Sequence, residues 1–374
     1  MTAMELTYFG EGSLNSFIGG WGRLVKKYAI AVKLIYEAVE RGIFPAACLE
    51  IGDRKGRIFR HWEGNGSLYP VIEPVEEDTL FDMASVTKIL SPTMVALRFI
   101  EEGLLCLSDR VGDFFDAPED KKEITIFNLL THTSGIRPYV SIVDKAPSPE
   151  EVVETILSLE LAFPIGRNVG YSCLGFIVLG KILELVGGAP LDILSEQYVF
   201  EPLEMKSTTF KPEGDNIAAT DYDPQNGTCF VGIVNDHNSR FLGGIAGNAG
   251  VFSNLDDLSN FAMMLANIGR YKERQYLSSA TFAKAITNWT SHFDQARGLG
   301  FLLTDTQIDP PGELFSTGSY GHTGYTGTSV FVDKETGLYV ILITNRVHSE
   351  KMDDRILRFR RVLHNAILAT SSSE

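Results

Sequence analysis

A serine and a lysine stand three residues apart in the apolar stretch FDMASVTKIL, Phe81 to Leu90. Residues i and i+3 share one face of a helix, so Ser85 and Lys88 would sit side by side with their polar ends close enough to share a proton. A serine hydroxyl is a weak nucleophile at neutral pH and needs a base as it attacks. S-x-x-K spacings also arise by chance, in which case Ser85 caps the helix and Lys88 snorkels to water along its four-carbon stem. The rest of the chain has to supply partners. VGYSCLG offers Tyr171 at the start of a helix, a phenol that can accept a proton if a neighbouring ammonium such as Lys88 lowers its pKa. The reverse also works, with Lys88 desolvated beside Ser85 and neutral enough to be the base. The sequence leaves that choice open. YGHTGYTGTSVFV offers a glycine-punctuated entry into a β-strand.

Other nucleophile arrangements fit less well. The elbow G-x-S-x-G is absent, because GYSCLG has one residue too many. His132 in LLTHTSG lies between helix-like Leu129–Leu130 and a turn at Gly135, and reads as a structural, hydrogen-bonding histidine.

The elements that must hold these residues follow from periodicity. LVKKYAIAVKLIYEAVE, residues 24–40, has apolar residues at helical spacing and ends at Gly42 and Pro45. AACLEIGD and GRIFRHWEG flank the tight link Asp53–Gly56, the pattern of an antiparallel hairpin. The helix opened by Ser85 is expected to run to about Glu102, kinked just past Lys88 by Pro92. Ser148, Pro149 and Glu151 form an S-x-x-E capping signature, and CLGFIVLGKILELVGG is a strong helix closed by Gly187 and Gly188. GTSVFVDKETGLYVILITN gives two β-runs joined by a turn, followed by a long terminal helix. Strands at both ends with helices between predict an α/β protein of the α+β type. Its antiparallel sheet is built from both termini and flanked by helices, over residues 1–82 and 236–374. A mostly helical domain, residues 83–235, is inserted between, with the active site in the cleft.

Composition narrows the function. The 374 residues are 44% hydrophobic and 22% charged, ordinary for a folded chain. A formal charge of −15 disfavours a nucleic-acid phosphate backbone, and the run Arg358–Arg361 reads as the solvated face of the terminal helix. The four cysteines lack C-x-x-C spacing and the seven histidines lack H-E-x-x-H, so neither a disulfide framework nor a metal site is expected. No phosphate-binding or dinucleotide glycine motif occurs, and no cofactor is expected. Without a signal-like or membrane-length apolar run, the expected location is cytoplasmic, with no membrane partner.

Ser85-Val-Thr-Lys88, Tyr171-Ser172-Cys173 and His322-Thr323-Gly324 occur in the order and spacing of S-x-x-K, Y-x-N and K/H-T-G. Together with LSDRVGDFF, LLTHTSG, IAGNAGVFS and GHTGYTGTS, they resemble the penicillin-recognising serine hydrolases. The resemblance is to the class C β-lactamase-like branch, which includes DD-peptidases and esterases. It implies that Ser85 is the acylated nucleophile and that Lys88 and Tyr171 share the proton work. The main-chain N–H groups of Ser85 and Tyr325 would form the oxyanion hole, and Cys173, His322, Thr323 and Gly324 would meet the substrate. Gly324 and Gly327 would let the strand approach it closely.

Two departures bear on substrate choice. Cys173 replaces an asparagine and is a weak hydrogen-bonding group. His322 replaces a lysine and is mostly neutral at pH 7 at its ordinary pKa. Both weaken recognition of a carboxylate-bearing β-lactam or D-alanyl end, and a lysine at 322 is expected to improve turnover of such substrates. Arg346 could supply the missing charge, but reads as a surface or salt-bridge residue. The expected function is a serine hydrolase forming an acyl-Ser85 intermediate on a small ester or amide, most simply an esterase. The alternatives are a β-lactamase or DD-peptidase acting on β-lactams or D-alanyl peptides, and a non-hydrolytic sensor that is acylated but does not turn over. Oligomeric state is not legible.

Overall fold

The computed structural model describes residues 26–223, 227–305, 311–349 and 354–371. The first two residues of the expected N-terminal helix fall outside this range. Its described part is α1, Ala29–Glu40, which leads into the hairpin of β1, Ala46–Asp53, and β2, Gly56–Ser67. β3, Glu73–Pro74, pairs with β2 at one edge of the sheet. Four further strands come from the other end of the chain: β4, Leu302–Leu303; β5, Tyr320–Thr323; β6, Ser329–Val332; and β7, Tyr339–Thr344. All pairings are antiparallel, and the seven strands run in the order β4-β5-β6-β7-β1-β2-β3.

Both faces of the sheet are covered, which is why β1 and β7 carry near-continuous apolar runs rather than an alternation with polar residues. Ala47, Leu49, Ile51, Val340 and Leu342 pack under α1 and the terminal helix, Arg355–Ser371. Cys48, Ile341 and Ile343 face the opposite way, into a larger core that the helices of the chain's middle complete. Tyr339 also points there and sits over Gly52 across the β1–β7 ladder. A side chain at 52 would overlap its ring, because a Cβ would lie 2.2 Å from the ring's Cζ.

The middle of the chain supplies the helices nearest the site. The expected continuous helix after Ser85 is two helices: α2, Thr87–Leu90, and α3, Pro92–Glu101. Ser91 breaks the run with φ −128° and ψ −91°, and Pro92 starts α3. The ring that was expected to kink the helix instead ends it, because proline offers no N–H to the carbonyl of Lys88 and crowds it. α4, Cys173–Gly187, ends at Gly188 in the left-handed conformation, as its sequence predicts. At Ser148 the expected cap does not reach the backbone. Its hydroxyl bonds the Glu151 side chain at 3.3 Å, and a 3₁₀ turn precedes the helix. α5, Leu255–Ala266, packs on the sheet over β1 and β7, and α6 is the terminal helix Arg355–Ser371.

Candidate active site

Ser85 lies in a 3₁₀ turn, Ala84–Val86, between the short strand Phe81–Asp82 and α2. Ala84 takes φ 44°, a left-handed conformation that costs a residue with a Cβ about 1 kcal/mol or more. The buried Asp82 carboxylate holds the turn there: one oxygen accepts from the Ala84 N–H at 2.8 Å, the other from the Asn235 N–H at 2.7 Å. Burial raises the Asp82 pKa to about 6, against the pull of those two donors.

One turn of helix further on, Lys88 is fully buried, and its ammonium meets three acceptors. It donates to Ser85 Oγ at 3.0 Å, to the Asn248 carbonyl at 2.9 Å and to Cys173 Sγ at 3.5 Å. Three donors facing three acceptors fit a charged amine. Burial alone would lower its pKa, but Cys173 and Tyr171 outweigh that and hold it above the ordinary lysine value. The snorkelling alternative for Lys88 is therefore excluded.

Tyr171 precedes Ser172, the N-cap of α4, whose hydroxyl accepts from the Gly175 N–H at 3.0 Å. His132 Nδ1 accepts from the Ser172 N–H at 3.0 Å, the hydrogen-bonding role its sequence context suggests. The His132 ring packs 4.7 Å from the Tyr171 ring, and Lys88 Nζ lies 5.0 Å from the centroid of that ring. Burial pushes the phenol above its ordinary pKa and the Lys88 charge pulls it back. The charge on each of Lys88 and Tyr171 therefore shifts the titration of the other.

A cleft of about 680 Å³ opens over Ser85, and Tyr171, Cys173, Thr323, Gly324 and Tyr325 line it with the serine. β5 reaches the site because Gly324 has no side chain. A Cβ there would lie 2.7 Å from the Met83 carbonyl and 3.3 Å from the Ala84 Cβ. The missing side chain makes room for the turn that carries Ser85. At Gly327 the space is taken by Thr344, and φ is 96°. Both glycines allow close approach of protein to protein, and Gly324 also lines the cleft, on the side where the resemblance implies approach to substrate.

His322 is not in the cleft wall. It is 2% exposed and packs behind Tyr171 at 5.9 Å between rings, with Nδ1 2.7 Å from the Thr323 carbonyl. Burial, then the charges of Lys88 and Arg297, hold its pKa well below the ordinary histidine value, so it is neutral.

The arginines are the residues that sequence reasoning misplaced. Arg346, expected at the surface or in a salt bridge, is buried and pairs with Asp354 at 3.9 Å. Its Nε donates to the Tyr325 carbonyl at 2.5 Å, and its guanidinium lies 4.9 Å from the Tyr325 ring centroid. Arg360, expected on a solvated helix face, is 3% exposed; Arg358 of the same run is exposed. Both Arg346 and Arg360 line the cleft. Helical periodicity does hold a signal for Arg360, since it is four residues from Ile356 and next to Phe359, both buried. No local signal marks Arg297, Asn248 or Asp236, which come to the site through long-range packing. Among the described residues, no group of three or more His, Cys, Asp and Glu side chains is placed to hold a metal ion.

The Beta-lactamase family model matches residues 34–364. The chain is 29% identical over 312 residues to an Escherichia coli (strain K12) protein named "Putative D-alanyl-D-alanine carboxypeptidase", covering 74% of this chain and 71% of that one. It is 28% identical over 367 residues to an N-acetylmuramyl-L-alanine amidase of Bacillus subtilis (strain 168), covering 86% and 82%. Among solved structures, EstCE1, a hydrolase with promiscuous acyltransferase activity, superposes with a TM-score of 0.75 at 22% identity over 92% of this chain and 99% of that one. The chain belongs to the β-lactamase family and is a serine hydrolase.

Proposed function

We propose that Ser85 is the acylated nucleophile, that the Lys88–Tyr171 pair takes and returns its proton, and that the substrate is a small amide or ester carrying an anionic group beside the scissile bond. Attack of Ser85 Oγ on the carbonyl passes its proton to the pair. The tetrahedral oxyanion faces the main-chain N–H groups of Ser85 and Tyr325, and collapse returns the proton to the leaving group. Water then repeats the sequence on the acyl-enzyme.

The observation that carries the substrate class is Arg360. Its guanidinium is buried in the cleft wall and donates only to the carbonyls of Gly327, at 2.9 Å, and Thr328, at 3.4 Å. Its Nε has no partner, and no carboxylate pairs with it among the described residues. Burial, then Arg346, lowers its pKa to about 10, which leaves it charged at neutral pH. A buried cation without a counter-ion is costly, and a substrate carboxylate supplies one. This reading departs from the neutral-ester expectation because the positive charge sits on α6 rather than at position 322. The names of the two curated relatives, a carboxypeptidase and an amidase, support it.

The test is hydrolysis of an N-acyl-amino-acid thioester whose thiol leaving group carries a carboxylate, offered free and as the methyl ester, followed by intact-protein mass spectrometry. The free acid is expected to be the better substrate, and Arg360→Met to cut its kcat/KM by about 10- to 100-fold, the worth of a charge-assisted hydrogen bond. Equal turnover of the two forms by the wild type would return the neutral-ester reading. A transient adduct absent in Ser85→Ala supports the nucleophile, and an adduct that persists with every substrate would favour the sensor.

A further inference from the structure

Behind Tyr171, on the side away from the cleft, lies a second buried guanidinium that the steps above do not use. Arg297 is 7% exposed and sits with its Cζ 5.5 Å from the Tyr171 ring centroid. One Nη donates to Gln295 Oε1 at 2.9 Å, and its Nε is buried with no partner. No carboxylate pairs with it among the described residues, and the neighbouring imidazoles, His132 and His322, are neutral and each leave Nε2 unpartnered. Of the groups facing the Tyr171 ring, Ser85 is neutral and Lys88 is a cation. The phenol itself is the group that can become an anion against Arg297.

We infer that Arg297 is a positioning residue that acts through Tyr171, providing a fixed positive charge which stabilises the phenolate and so lowers the pH at which the Lys88–Tyr171 pair gives up its proton. The groups that share this environment are Lys88 from α2, Cys173 from α4, His322 from β5, His132 from the loop after Leu130, and Asp236 at the cleft wall. Asp236 acts on Lys88 and opposes the cations. Burial, opposed by Tyr171, lowers the Arg297 pKa to about 10, so the guanidinium keeps its charge at neutral pH. The guanidinium carbon is 5.5 Å from the ring centroid, and an opposite charge within about 4–6 Å of an ionising group moves its pKa by about one to three pH units.

The inference rests on Ser85 and its pair being the acylation machinery, and the experiment separates the two. Single-turnover acylation by p-nitrophenyl acetate is followed against pH in the wild type, Ser85→Ala, Arg297→Met and Arg297→Lys. Loss of the adduct in Ser85→Ala upholds the machinery, and an unchanged adduct there refutes that reading alone. The midpoint of the rise in rate with pH is expected to move up by about one unit or more in Arg297→Met and to return most of the way in Arg297→Lys. A lower plateau with an unmoved midpoint would mean that Arg297 is merely structural, and overturns the inference. A second measurement holds if Arg297→Met fails to fold. In Lys88→Met, where Arg297 is the remaining cation against the ring, the phenolate absorbance of Tyr171, read against Lys88→Met with Tyr171→Phe, should appear before the other buried tyrosines, Tyr276, Tyr320 and Tyr339, ionise. Its appearance only together with them overturns the inference.

Discussion

At the scale of single residues, the site's charges are placed where the local sequence does not advertise them. A lysine at position 322 looks, from the motif alone, like a gain for carboxylate-bearing substrates. In the folded chain that side chain lies behind Tyr171, between the charges of Lys88 and Arg297. His322→Lys would therefore bury a third cation without reaching the cleft. The expected outcome is a loss of about 3 kcal/mol or more in denaturant unfolding, with no gain in kcat/KM on an anionic substrate. Asp82 invites a different test, because burial raises its pKa to about 6 from an ordinary value of 3.8. The folded state then binds more protons than the unfolded one between about pH 4 and 6. Its contribution to stability is complete below that window and falls as pH rises through it, by a total of about 3 kcal/mol. Asp82→Asn cannot titrate, so the stability of the variant minus that of the wild type should rise from pH 4 to 6. Acylation should fall at every pH, because an amide cannot accept from both the Ala84 and Asn235 N–H groups. A stability difference independent of pH would mean that the carboxyl titrates normally.

At the scale of elements, one buried ion cluster ties the sheet to α5. Arg60 on β2 donates to Glu50 on β1 at 2.5 Å and reaches Glu77 and Asp256 at 2.7 Å each, while the Tyr339 hydroxyl of β7 donates to Glu50 at 2.8 Å. Glu50 is 0% exposed, so Arg60→Met leaves a buried carboxylate without its cation and should cost about 3–5 kcal/mol. Adding Glu50→Gln should recover a large part, and near-additive losses in the double variant would show that the pair is not coupled. These elements also mark what was legible in the chain. The β1–β2 hairpin, α4 with its Gly188 cap and the Ser85–Lys88 face were readable because turn chemistry, capping and i,i+3 spacing act over a few residues. β4 is only two residues long and carries no period of its own. Arg297 reaches the site through packing of distant segments and nothing beside it in the sequence marks its burial, whereas the burial of Arg360 is legible only from the apolar period of its helix.

At the scale of the whole molecule, local and long-range electrostatics oppose one another. The chain carries a formal charge of −15, which repels an anion approaching from solution, while Arg346 and Arg360 attract it once it is inside the cleft. Salt separates the two, because charges more than a Debye length apart, about 10 Å at 0.1 M, are screened, whereas buried contacts are screened far less. The cleft also holds Asp221 and Asp236, so its own field at a distance is weak; Asp221 is paired with Arg240. For an anionic substrate, kcat/KM is therefore expected to rise about two- to fivefold between 10 and 200 mM salt, through relief of the repulsion. Its methyl ester should be nearly insensitive. The same titration on Arg360→Met should keep the slope while lowering every value, because the lost interaction is short-range. A wild-type rate that falls with salt would mean that the cleft arginines outweigh the net charge even at a distance, and that the substrate is steered in by attraction.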